Sequence, residues 1–111
     1  MALEFVRFCE SAELPNGQKK ALKLDDRWVL VVHAQNRLFA VSGMCSHQKK
    51  PLWNGRVRHC KITCPVHGAR FDLETGAALD LPATQPIDTF EVRERDGWIE
   101  VAVERSGSDA I

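Results

Sequence analysis

No apolar run in this 111-residue chain approaches the roughly 20 residues that cross a bilayer, so no membrane span is expected. Residues 1–15 lack a basic start followed by an apolar stretch, and the chain reads as cytoplasmic. Repeats, low-complexity tracts and long linkers are missing too. There is no phosphate-cradling glycine loop and no flavin or nicotinamide site, and Ser42, Ser46 and the histidines form no recognisable nucleophile and base arrangement. No catalytic residue is therefore nominated, and the chain does not read as an enzyme. With a net charge of zero and no stacked aromatics, nucleic-acid binding is not expected. At 44% hydrophobic the chain is one folded domain, small enough to gain from a metal cross-link.

Cysteine is scarce, and its placement carries the chemistry. The four cysteines could in principle make two disulfides, but Cys45 and Cys64 are better used as metal ligands and the other pair suits a reducing compartment. Cys45 pairs with His47 and Cys64 with His67, across a 16-residue connection from Gln48 to Thr63. In an extended loop, Cys45 and His47 leave on one side of the backbone. Cys64-Pro65-Val66-His67-Gly68 spaces its ligands further apart and frames them with a fixed φ and a permissive one. Two loops offering a thiolate and an imidazole each suit a tetrahedral zinc ion, or a two-iron cluster that sorts thiolates from imidazoles.

Cys45-Ser46-His47, then Cys64-Pro65-Val66-His67-Gly68 with Phe71-Asp72 and Thr75-Gly76 behind it, resembles the cluster motif of Rieske-type 2Fe-2S proteins. The resemblance implies one 2Fe-2S cluster per chain, with Cys45 and Cys64 on the buried iron and His47 and His67 on the exposed one. It also implies an all-β, antiparallel sandwich or partly open barrel. Residues 1–104 would form the domain, about 43–70 its cluster-binding cap, and 105–111 a tail.

Alternation and turn residues outline the strands. Residues 2–9 read as one, Ser11 as the cap of a helical turn, and Lys19–Leu24, Trp28–Ala34 and Leu38–Val41 as a meander. Asp25-Asp26-Arg27 and Gln35-Asn36 are its turns. Arg56–Thr63 reads as one strand, with Cys60 sharing a face with Ile62, and Arg70–Leu73 pairs with Ala77–Leu79. Thr89–Glu94 and Trp98–Val103 form a hairpin around Asp96-Gly97. His33 and His59 read as surface or structural residues, Cys9 and Cys60 as small apolar packers, and Trp53 as packing or a lid over the cluster.

Rieske proteins of high potential carry a further cysteine in each ligand loop, and serine and tyrosine nearby; this chain has Lys50, Val66, Ala69 and Phe71 at those places. Without hydroxyl donors the potential is expected in the bottom part of the range of about −150 to +300 mV. Cys45 through Phe71 hold six basic residues and no acidic one, whereas Asp72 through Glu104 hold nine acidic and two basic. Such a cap, with Lys49 and Lys50 near its tip, can steer an acidic partner. Similarity to small stand-alone Rieske chains implies a monomeric ferredoxin of an aromatic-ring-hydroxylating dioxygenase system, in aromatic hydrocarbon catabolism. It would pass electrons from an NAD(P)H-dependent flavin ferredoxin reductase to a terminal oxygenase. The alternatives are a small subunit of nitrite-reductase type and a structural zinc-binding interaction module.

Overall fold

The computed structural model describes residues 3–24, 27–45, 50–66, 68–81 and 83–104. These form strands β1 (Leu3–Glu10), β2 (Lys19–Leu24), β3 (Arg27–Ala34), β4 (Arg37–Ser42), β5 (Val57–Arg58), β6 (Lys61–Thr63), β7 (Arg70–Asp72), β8 (Thr89–Phe90), β9 (Val92–Arg95) and β10 (Trp98–Glu104). The only helix among the described residues is one 3-10 turn, Ser11–Glu13. No helix among them is long and apolar enough to cross a membrane. The strands make three open antiparallel sheets, ordered β1-β10-β9, β2-β3-β4-β8 and β5-β6-β7. The all-β expectation holds.

The central sheet serves two cores, which explains the unbroken apolar run of β3. Leu30 and Val32, with Phe39 and Val41 of β4, face one cluster that includes Leu52, Ile62, Phe71, Leu73 and Ile87. Val29, Val31 and Ala40 face the other way, onto Phe8, Cys9, Ile99, Val101 and Val103 of the terminal sheet. A strand buried on both faces cannot alternate apolar with polar. Each such side chain contributes about 1.5–3 kcal/mol when fully buried, and Val29, Leu30 and Val31 are all at 0% exposure.

Several sequence expectations change in three dimensions. β1 pairs with β10, from Leu3 against Glu104 to Glu10 against Trp98. A register shift between Arg7 and Cys9 is a bulge, which turns the consecutive Phe8 and Cys9 both inward. Ser11 does not cap the helical turn: Glu10 holds that position without a side-chain bond, and Ser11 Oγ is buried with no partner. The expected strand Thr89–Glu94 divides at Glu91, with β8 pairing β4 and β9 pairing β10. The chain thereby crosses from the central to the terminal sheet. Ala77–Leu79 does partner Arg70–Asp72, through the Phe71–Ala78 bridge and the bonds from Asp72 N to Ala77 O at 3.0 Å and from Leu79 N to Arg70 O at 2.8 Å. The Asp25-Asp26 turn lies outside the described residues.

Arg56–Thr63 is also not one strand. Arg58 pairs with Lys61 across a two-residue turn in which His59 and Cys60 have φ of 53° and 60°. Gln35-Asn36 and Asp96-Gly97 make turns of the same left-handed kind.

Candidate metal centre

Cys45 and Cys64 occupy equivalent places in two loops of the same build. The Cys45 N–H donates to the Lys50 carbonyl at 2.7 Å, and the Cys64 N–H donates to the Ala69 carbonyl at 2.7 Å, each acceptor five residues on. One residue outside each closure the chain pairs again, Met44 with Pro51 and Thr63 with Arg70. Each cysteine thus sits at the root of a loop closed by the same backbone bond, on an antiparallel neck. The unequal Cys-to-His spacing in sequence falls inside closures of equal span. In the second loop, Gly68 at φ +77° also donates to the Cys64 carbonyl at 2.8 Å, a backbone state that glycine adopts without strain.

The necks are held from outside. Gly43 donates to Trp28 O and accepts from Leu52 N, both at 2.8 Å, which ties the first loop to the end of β4. Trp53 packs on Trp28 with ring centroids 4.8 Å apart and lies against the core, so packing accounts for it. Gly55 lets the connection cross β6: a Cβ there would lie 2.1 Å from the Thr63 carbonyl oxygen. Thr63 immediately precedes Cys64, so this crossing fixes the root of the second loop.

Cys45 and Cys64 are both buried, at 1% and 0% exposure, in one core cluster with Leu52, Ile62, Ala69 and Phe71. None of the four cysteines is disulfide-bonded. His47 and His67 lie outside the described residues. Two soft sulfur donors, shielded from water on matched necks, fit a metal–sulfur group. Cys9 and Cys60 stand apart from them. Cys9 is buried in the other core, where burial pushes its thiol up, opposed by Lys20 and reinforced by Glu13. Cys60 packs half-buried at its turn. His33 is structural: its Nδ1 lies 2.8 Å from the Leu14 carbonyl oxygen.

The downstream part of the motif is a brace. Phe71 is fully buried, and Asp72 Oδ1 accepts from the backbone N–H groups of Glu74 at 2.8 Å and Thr75 at 3.3 Å. Gly76, at φ +80°, accepts from Ile87 N at 2.8 Å, and a Cβ there would meet Ile87 O at 2.1 Å. One feature is absent from the sequence reading. Asp80 grips Arg70 through Nε at 2.6 Å, Nη2 at 3.2 Å and the backbone N–H at 3.1 Å. The bidentate guanidinium bond holds the Asp80 carboxyl below its usual range and raises Arg70. Arg70 is therefore neutralised locally, which trims the positive charge read for the cap. No local signal announces a pair ten residues apart.

The sequence profile of the Rieske 2Fe-2S domain matches residues 4–91. The chain belongs to the Rieske 2Fe-2S family. The cofactor of this Rieske protein is a 2Fe-2S cluster, and its role is electron transfer rather than catalysis. The 3-phenylpropionate/cinnamic acid dioxygenase ferredoxin subunit of Photorhabdus laumondii subsp. laumondii is 35% identical over 96 residues, 86% of this chain and 90% of that one. The ferredoxin of carbazole 1,9a-dioxygenase from Nocardioides aromaticivorans IC177 superposes with a TM-score of 0.84 at 32% identity, over 90% of this chain and 98% of that one. A chain from the complex of reduced oxygenase and oxidized ferredoxin in carbazole 1,9a-dioxygenase aligns with a TM-score of 0.82 at 25% identity, over 88% of this chain and 92% of that one.

Proposed function

We propose that this Rieske protein is the ferredoxin component of an aromatic-ring-hydroxylating oxygenase system, with Cys45, His47, Cys64 and His67 as the cluster ligands. The observation that carries the ligand assignment is the repeated loop closure, Cys45 to Lys50 and Cys64 to Ala69, which sets two buried thiols at matched roots. When bound, such a cluster supplies a one-electron change, with formal charge passing from zero to minus one if both imidazoles are neutral. The chain's own residues do the rest. The necks keep Cys45 and Cys64 out of water, and His47 and His67, as ligands of the outer iron, would be the route for the electron. Ala69 and Phe71, both at 0% exposure, bring apolar surface and no hydroxyl donor, which favours a low potential.

Electrons would arrive from an NAD(P)H-dependent flavin reductase and leave to the terminal oxygenase; the carbazole dioxygenase relatives support the second partner. We take residues 1–104 as the functional domain, with about 43–70 as its cluster-binding part, acting as a cytoplasmic monomer. The test is iron and zinc content with the electron paramagnetic resonance spectrum of the dithionite-reduced protein. About two irons per chain and a rhombic signal of low average g are expected for histidine-ligated iron. One zinc and a silent spectrum would refute the ligand assignment in favour of a structural module.

A further inference from the structure

The outer face of the β5-β6-β7 sheet carries an arrangement that folding alone does not favour. Arg58 and Lys61 are direct cross-strand partners, and like charges in that position destabilise an antiparallel pair. Only Lys61 has a carboxylate neighbour across the ladder. It stands opposite Asp72, with which it forms no ion pair, the Asp72 Oδ1 accepting from two backbone N–H groups. Thr63 stands opposite Arg70, whose guanidinium is held by Asp80. Among the described residues Arg27, Arg37, Arg70 and Arg93 each have a carboxylate partner, whereas Arg56, Arg58 and Lys61, like Arg7 and Arg95, form no ion pair. The Lys61 ammonium reaches only the His59 carbonyl, at 3.4 Å.

These residues also share a concavity. Arg56, Arg58, His59, Lys61, Thr63 and Arg70 line a depression of about 570 Å³, with no carboxylate in its wall. A second groove, about 610 Å³, continues past Arg56, Arg58 and His59 to Lys19, again without a carboxylate. The face adjoins the metal centre by covalent continuity. β6 runs directly into Cys64, and Lys61 is three residues, or about 10 Å at strand rise, from it.

We propose that this face is a docking surface for a cluster of carboxylates on the protein with which the chain exchanges electrons. The inference rests on the electron-carrier reading above. In the complex a partner's carboxylates offset the mutual repulsion of Arg58 and Lys61, and unpaired cations steer such a partner from a distance. Charge complementarity selects an acidic protein surface: the depression is broad and open, and its cations are spread along two rows of a sheet.

The test is calorimetric titration of an oligoglutamate peptide into the cluster-loaded full chain at low and high salt. The peptide should bind, weaken as salt rises, and bind about tenfold less tightly to Arg58→Glu and Arg56→Glu, with Lys23→Glu on another sheet unchanged. Arg58→Glu should also melt no lower than the parent, since it turns a like-charge pair into an opposite-charge one. Equal affinity for parent and Arg58→Glu would overturn the proposal. So would displacement of the peptide by inorganic phosphate at one saturable site, which would make this a small-anion pocket. Self-association of the parent that Arg58→Glu abolishes would instead make the occupant a second copy, seated by its acidic half. Peptide binding is read as heat and the cluster as a spectrum, so failure of one is distinguishable from failure of the other.

Discussion

Replacing Gly55 by alanine tests whether the crossing of the connection over β6 sets the second ligand loop. The added Cβ would lie 2.1 Å from the Thr63 carbonyl oxygen and 3.0 Å from that of Leu52. An ordinary contact is about 3.4 Å or more, so the Thr63 carbonyl must retreat by roughly 1 Å. It cannot do so alone, because Thr63 N is bonded to Arg56 O at 3.0 Å and the next residue, Cys64, to Ala69 O at 2.7 Å. Overpacking of about 1–3 kcal/mol and a weakened hydrogen bond of about 1 kcal/mol together suggest a loss of about 3 kcal/mol. For a domain of this size that lowers Tm by roughly 12 °C. Gly17→Ala is the control. Gly17 has φ +95° but nothing within 4 Å of a new Cβ, so only its backbone preference is lost, about 1 kcal/mol or roughly 4 °C. Circular-dichroism melts with iron analysis make the comparison. If Gly55→Ala melts within a degree or two of Gly17→Ala and keeps its full iron, steric control of the loop root is wrong.

Replacing His47 or His67 by cysteine should abolish the cluster or convert it to an all-thiolate kind of lower potential; unchanged redox behaviour would remove these ligands from the account. Ala69→Ser should raise the potential, because a hydroxyl beside Cys64 can donate to the cluster and favour its reduced state, and potentiometric titration reads the shift directly. The Asp80 carboxyl, held low first by its hydrogen bond to Arg70, contributes stability above the ordinary carboxylate pKa of about 4 and loses it as pH falls through the depressed folded value. Asp80→Asn should therefore melt below the parent at neutral pH and approach it in acid. A pH-independent gap between their Tm values would show that the ion pair is not the cause.

Much of the site was legible because metal chemistry imposes local spacing. Cys45-Ser46-His47 and Cys64-Pro65-Val66-His67-Gly68 hold their candidate donors within a few residues each, and no distant contact is needed to read them. The turns at Gln35-Asn36 and Asp96-Gly97 were equally legible, since asparagine and glycine tolerate positive φ. The turn at His59-Cys60 was not, because neither residue interrupts the alternation of Arg58, Cys60 and Ile62. Its left-handed backbone follows from closing β5 onto β6 under the connection that Gly55 carries.

By itself, then, the order of residues determined most of the strands and the family to which the chain belongs, and nominated the four candidate ligands. Tertiary structure decided what depends on residues far apart in the chain. It joined β1 to β10, split the expected Thr89–Glu94 strand between two sheets, and tied Arg70 to Asp80. It also closed the two unequal motifs over equal spans of chain, and left Arg58 facing Lys61 across the β5-β6 ladder. Local propensity sees a strand's own pattern, whereas its partner is chosen by burial and hydrogen bonding summed over the whole fold.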